Sequence, residues 1–207
     1  MRNFKKTLSF LLSTVIIVSS VVGVGTTVFA ATDEHTYKNF KYRILDDNTA
    51  EICGYTGKNA VVTVPDSIDS KPVTSIGRTA FYSGKIKEVT IPNTVRSIKW
   101  WAFYGCESLE KINLNFGLKT VGYGAFMNCK NLKSVSIPMS VTQICDDSFA
   151  VSCSTKKGVF DTYSKQTIST QQYSTDSSFT LEGYSGTVAE KYCNDNSLNF
   201  VSSGNVI

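Results

Sequence analysis

His35 is the only histidine in the 207 residues of the chain. That scarcity removes the usual basis for Ser-His-Asp and Cys-His nucleophilic systems, and for most zinc sites. Cys-x-x-Cys pairs, phosphate-binding glycine loops and the zinc-protease helix motif are also missing, so redox, nucleotide and metalloprotease chemistry lose their signatures. No cysteine precedes Cys53, which excludes a lipid-modified N-terminal cysteine. An excess of one charge is absent as well. Three of the 21 Lys and Arg, and none of the 17 Asp and Glu, fall within residues 1–30, leaving 18 against 17 beyond them. Phosphate binding needs a basic patch that releases counterions, so nucleic acid is not an expected partner. The C-terminal "FVSSGNVI" has neither a hydrophobic tail nor a sorting-type motif.

What the chain does contain starts with a leader pattern. Arg2, Lys5 and Lys6 precede an uncharged stretch from Thr7 to Phe29 that closes on Val28-Phe29-Ala30-Ala31. A basic start, an apolar middle and a small-residue exit predict a secretory signal peptide over residues 1–30, cleaved after Ala30. The stretch is long enough to span a bilayer, but its Ser, Thr and Gly content and the Ala-Ala exit favour cleavage over anchoring. The expectation is therefore a secreted protein, loosely surface-associated at most, with no stable membrane insertion after cleavage. About 177 residues remain, enough for one domain with its own core, and all six cysteines lie in that part, where disulfides are chemically allowed.

The strongest signal is repetition. "VTSIGRTAF" (73–81), "VRSIKWWAF" (95–103), "LKTVGYGAF" (118–126) and "VTQICDDSF" (141–149) recur in steps of 22, 23 and 23 residues. Between them "IKEVTIP" (86–92), "LEKINLN" (109–115) and "LKSVSIP" (132–138) recur in steps of 23, after a divergent "AVVTVP" (60–65). Val89 and Ile91 alternate with Glu88 and Thr90, the pattern of a half-buried strand that Pro92 then ends. The second segment leads into Ala-Phe or Ser-Phe, followed closely by Gly, Asn or Ser. A unit this small cannot bury its apolar side alone, so copies must stack, with Phe81, Phe103, Phe126 and Phe149 on one another. The predicted fold is a short repeat solenoid.

The pattern Ala-Phe-x-x-Cys-x-x-Leu-x-x-Ile-x-Ile-Pro-x-x-Val-x-x-Ile resembles the BspA-like leucine-rich repeats of secreted and surface proteins. The match is specific over residues 73 to 149, with "FKYRILDDNTAEICGYTG" (40–57) resembling the leading hairpin and "FTLEGYSGTVAEKYCNDNSLNFV" (179–201) the closing unit. The resemblance implies a right-handed stack, mostly β with short helical turns, used mainly for binding, with adhesion in some relatives and no known chemistry in most. The expected organisation is an N-terminal cap hairpin over 31–59, repeats over 60–153, a Ser/Thr-rich excursion over 154–178 and a C-terminal capping unit over 179–207. His35 is expected in a disordered start. Thr187 or Ser185 is expected to cap a helix with Val188, Tyr192 and Cys193 on one side, before a last strand from Leu198 to Val201. The excursion reads as a degenerate repeat, partly extended and partly mobile, or else as a ligand-contacting loop.

Candidate binding residues are those the repeat does not need. The two positions ahead of each Ala-Phe or Ser-Phe hold Arg78-Thr79, Trp100-Trp101, Tyr123-Gly124 and Asp146-Asp147, and the position after the Phe adds Tyr82, Tyr104 and Met127. Trp100, Trp101, Tyr123, Tyr82 and Tyr104 on adjacent rungs are suited to stacking on sugar faces or anchoring a protein. Asp146 and Asp147 form a carboxylate pair, but hydrolysis needs a cleft that sets their separation, so a solvated pair is expected. Cys106 and Cys129 occupy one slot, filled by Gly84 and Ser152 elsewhere. Rung neighbours sit roughly 4.8 Å apart with parallel Cβ vectors, which would strain a disulfide. The slot therefore calls for small residues, and Cys145, Cys153 and Cys193 are better placed for any bridge, with Cys53 unassigned. The expected function is a noncatalytic binding module, without metal or cofactor, for a host or bacterial surface protein or a glycan. The alternative is an accessory polysaccharide-processing protein using Asp146, Asp147 and the nearby aromatics.

Overall fold

The structure is a computed structural model that describes residues 33–149, 152–161, 166–174 and 178–205, with side chains described over 33–149 and 178–205. The signal peptide expected over 1–30 lies outside the described residues. The described residues begin with three antiparallel strands: β1 (His35–Tyr37), β2 (Phe40–Ile44) and β3 (Ala50–Tyr55). The expected hairpin is there, and His35, expected in a disordered start, instead pairs with Tyr42 across β1 and β2. Lys38, at φ 53°, makes the tight reversal that allows this pairing, and the imidazole lies 5.4 Å from the Tyr42 ring.

The solenoid follows as β4 (Val61–Thr63), β5 (Ser67–Ile68), β6 (Lys71–Ile76), β7 (Glu88–Thr90), β8 (Ser97–Ile98), β9 (Lys111–Asn113), β10 (Thr120–Val121), β11 (Ser134–Ser136) and β12 (Gln143–Ile144). β3, β6, β8, β10 and β12 line up in parallel, so the cap hairpin is the first member of the repeat sheet. Ser75, Ser97, Thr120 and Gln143 share one register position, and Ile76, Ile98, Val121 and Ile144 the next. The repeat period of the sequence is thus the register of the sheet. β4, β7 and β9 form a second parallel sheet through Val62, Val89 and Ile112. Alternation puts these apolar residues inside and their neighbours outside, polar in β7 and β9 but including exposed Val61 in β4.

Between the repeats and the closing unit, β13 (Ser152–Asp161) pairs antiparallel with β14 (Gln166–Ser174), with a bulge between Lys156 and Val159. The segment expected to be partly extended thus contains a two-stranded ribbon, and residues 162–165 and 175–177 lie outside the described residues. Its Thr, Val, Ile and Tyr residues favour extended backbone even where little surface can be buried. β15 (Thr180–Ser185), α1 (Val188–Asn196) and β16 (Asn199–Asn205) close the stack, with β11, β15 and β16 in parallel. Helix α1 buries Ala189, Tyr192 and Cys193, while Val188 is only half-buried. Thr187 sits at the N-cap but makes no side-chain cap. Its hydroxyl donates to the Tyr184 carbonyl, and the Glu190 carboxylate accepts from the Gly186 amide instead.

Candidate functional site on the rung turns

The turns that carry the repeated Phe have a regular backbone plan. Thr79, Phe81 and Ser83 donate their amides to the carbonyls of Trp100, Ala102 and Tyr104 on the next rung, and Trp101, Phe103 and Gly105 donate to Tyr123, Ala125 and Met127. The intervening amides of Ala80, Tyr82 and Gly84 close turns within their own rung, onto Gly77, Thr79 and Phe81. Such alternation needs residues in left-handed backbone. Thr79 (φ 56°), Trp101 (56°), Gly124 (56°) and Asp147 (53°) hold one such position, and Ser83, Gly105 and Asn128 a second. Outside glycine each costs about 1–2 kcal/mol, least for Asn and Asp. The reward is a turn wall as fully hydrogen-bonded as a sheet.

On the inner side of that wall the phenylalanines stack. Phe81, Phe103, Phe126 and Phe149 follow one another at centroid separations of 4.8, 5.2 and 5.2 Å with interplanar angles under 10°. Tyr55 and Phe40 continue the ladder into the N-terminal cap, and Phe179 continues it into the C-terminal unit. The Cys106 thiol donates to the Phe81 carbonyl at 2.9 Å and the Cys129 thiol to the Phe103 carbonyl at 3.2 Å. Both thiols are free and buried, and burial pushes the Cys106 thiol up to about 11 and Cys129 well above the ordinary thiol range. These are protonated structural donors, not nucleophiles. Cys53, Cys145 and Cys193 are free too; Cys193 faces the Asn199 carbonyl in the closing unit. The side chain of Cys153 lies outside the described residues.

On the outer side, the five candidate aromatics fall into separate groups instead of one exposed row. Trp100 is 57% exposed. Trp101 and Tyr123 are half-buried and meet edge to face at 6.2 Å, with the Arg78 guanidinium 4.8 Å from the Trp101 ring on the other side. The indole lies over Gly124, where a Cβ would come within 2.7 Å of its Cδ1, so the glycine of one rung makes room for the tryptophan of the previous one. Tyr82, 58% exposed, stacks on Tyr104 at 5.5 Å and 3°. Asn128 donates to the Tyr104 hydroxyl at 3.1 Å. Met127, third in that column, is buried.

Asp146 is exposed, but Asp147 is half-buried, which corrects the expectation of a fully solvated pair. Burial raises the Asp147 carboxyl above its ordinary value, the Tyr123 hydroxyl lowers it and Asp146 raises it further. Arg78, Trp101, Tyr123 and Asp147 thus form one contact chain across four rungs.

One important residue had no local signal. Glu51, in β3, is 1% exposed, accepts from the Ser75 hydroxyl at 2.8 Å and is paired with Arg43 and Lys99. Burial alone would raise its carboxyl, yet Lys99, Ser75 and Arg43 together hold it below the ordinary value. It fastens the N-terminal cap to the first two rungs.

Stacked parallel rungs around an aromatic ladder define the class as a leucine-rich-repeat solenoid. The signature of the BspA type leucine rich repeat region, in six copies, matches residues 62–180, and the chain belongs to that family. Among solved structures it is similar to a leucine-rich repeat protein from Bacteroides capillosus ATCC 29799, at 31% identity and TM-score 0.53, over 55% of this chain and 88% of that one. It is also similar to the T. pallidum leucine rich repeat protein, at 30% identity and TM-score 0.48, over 56% of this chain and 66% of that one. A leucine rich cell surface protein of Faecalibacterium prausnitzii A2-165 is similar at 26% identity and TM-score 0.49, over 74% of this chain and 46% of that one. No curated protein matches the chain. Among the described residues no helix is long and apolar enough to cross a membrane.

Proposed function

We propose that the protein is a secreted, noncatalytic binding module that presents aromatic side chains on its rung turns to a surface protein or a glycan. The observation that carries this is the exposure of Trp100 and Tyr82, more than half open to solvent, in columns that also accept non-aromatic residues: Arg78 and Asp146 beside Tyr123 in the first, and Met127 beside Tyr104 in the second. A repeat core does not require these rings, and Trp and Tyr are typical binding anchors. The leader pattern of residues 1–30 supports export. The near balance of charge supports protein or glycan over nucleic acid. A glycan array and a pull-down with host matrix proteins, comparing the wild type with Trp100→Ala/Tyr82→Ala, test the reading. Loss of the captured ligand in the double variant is expected; ligand capture that the double variant leaves unchanged would remove the aromatic face from the function.

The raised Asp147 carboxyl beside Asp146 favours a second, weaker reading as an accessory polysaccharide-processing protein. Glycoside hydrolysis needs two carboxyls facing each other across the bond, whereas these are chain neighbours and Asp147 is held by Tyr123. Polymer hydrolysis present in the wild type and lost in Asp146→Asn/Asp147→Asn would establish it over the binding reading.

A further inference from the structure

Among the described residues two columns of rings stack from rung to rung, and one of them is closed at its N-terminal end. Phe81 is covered by Tyr55, which is covered in turn by Phe40. Tyr82, the neighbouring residue, stacks on Tyr104 on its C-terminal side and meets no other ring among the described residues. At that uncovered end lies a cavity of about 360 Å³, between the N-terminal cap and the first rung, lined by Tyr55, Thr79, Tyr82, Lys58 and Lys85 among others. Its size falls in the roughly 300–1,000 Å³ range of small-ligand sites. A second cavity of about 360 Å³ shares Gly84 and Lys85 with the first and runs on beside Tyr104 and Asn128. The two cavities adjoin at Gly84 and Lys85 and lie along the outside of two rungs, referred to below as the groove.

The lining carries Lys41, Lys58 and Lys85 against Glu34 and Glu107, and both carboxylates are paired. Glu34 is neutralised by Lys41 at 2.7 Å and Glu107 by Lys130 at 2.6 Å. Lys58 and Lys85 are exposed and make no ion pair among the described residues. A flat ring face, two unpaired ammonium groups and a rim of threonine, asparagine and backbone groups select a ligand with an apolar ring face, an anionic group and many hydroxyls. An aromatic peptide side chain would fill the ring slot but bring no hydroxyls for the rim.

We propose that this groove binds a carboxylate-bearing pyranose, a uronic-acid residue of an acidic polysaccharide. Its ring takes the place on Tyr82 that Tyr55 takes on Phe81, and its carboxylate pairs with Lys58 and Lys85. The next sugar lies beside Tyr104 in the second cavity. The inference rests on the reading of the protein as a binding module and names the ligand class for one end of it.

Calorimetric titration of the full chain with tetragalacturonate and with cellotetraose tests the assignment. Tetragalacturonate binding is expected, with cellotetraose weaker by about tenfold or more, the difference shrinking as salt screens the exposed charges. Tyr82→Ala and Lys58→Ala/Lys85→Ala are each expected to weaken tetragalacturonate about tenfold or more. Phe116→Ala, at an exposed ring on a different turn, is expected to change nothing. Equal affinity for the two oligosaccharides, or binding that survives the lysine double variant, overturns the proposal. So does poly-L-glutamate binding as tightly with the same losses, which would assign the groove to acidic peptides. Ligand capture that depends on Trp100 in a chain blind to tetragalacturonate removes this inference and leaves the broader function standing; a chain that captures nothing removes both.

Discussion

The phenylalanine ladder and the tyrosine pair differ by one residue along the chain and by nearly everything else. Phe81, Phe103, Phe126 and Phe149 are buried, evenly spaced and covered at both ends. Tyr82 and Tyr104 stack as closely, at 5.5 Å and 3°, but the column stops at buried Met127 and opens on a cavity at the other end. The rung spacing imposes the stacking in both cases. What separates them is whether the ring's other surfaces touch protein, and this sets which ladder carries stability and which is free to carry binding.

Breaking the inner ladder should have the largest effect. Phe103 is fully buried between Phe81 and Phe126, so Phe103→Ala removes two stacks and leaves a cavity that the rigid rungs cannot collapse into. A loss of about 3–5 kcal/mol is expected, read as a lower urea midpoint.

Opening the covered end comes next. Glu51 holds the cap that keeps Tyr55 against Phe81, through Ser75, Lys99 and Arg43. In Glu51→Gln both cations lose their partner, but each is some 40% exposed and regains water. The cost is therefore about 2 kcal/mol, below the 3–5 kcal/mol of a fully buried broken pair. The folded carboxyl titrates below its ordinary 4.5, so its contribution is present above that value and disappears as pH falls through the depressed folded value. Urea midpoints measured against pH should converge for wild type and Glu51→Gln in acid; a constant gap would refute the charge-based account.

The contrast also explains what the sequence could and could not reveal. The period, the parallel register and the Phe stack were legible because each repeat states the same residues at the same spacing, and stacking is the only way such units bury an apolar side. The closing helix was legible from the four-residue spacing of Val188 and Tyr192, with Cys193 beside them, although Ala189 and not Val188 is the fully buried residue of the first turn. The fastening by Glu51 was not, since one acid between Ala50 and Ile52 looks like any outward strand residue until the fold brings Lys99 to it. Nor was the burial of Trp101 and Tyr123 visible, because it depends on Gly124 making room one rung away. The left-handed positions gave a partial signal: Gly124, Gly105 and Asn128 are permissive residues, but Thr79 and Trp101 in equivalent slots hide the rule.

That rule makes a smaller prediction. Thr79 is exposed and β-branched at φ 56°, where a side chain costs about 1–2 kcal/mol that glycine avoids. Glycine's greater freedom in the unfolded chain takes back about 0.5–1 kcal/mol. Thr79→Gly should therefore stabilise the protein by about 0.5 kcal/mol, a rare gain for removing a side chain, measured as a higher urea midpoint. A loss instead would mean that the hydroxyl contact to the Arg78 carbonyl outweighs the backbone strain.

The smallest expected effect lies at the uncovered ladder. Tyr82 gives up one stacking face to Tyr104 and keeps more than half its surface in water, so Tyr82→Ala should change stability by no more than about 0.5 kcal/mol. Set beside the loss at Phe103, that near-silence measures how little the fold asks of this ring. A loss above about 2 kcal/mol would show that Tyr82 is packing after all, and the outer column would then be a second structural ladder. If the variant stays as stable as the wild type, any ligand it no longer holds is lost from the ring face itself, because the rungs beneath it are unchanged.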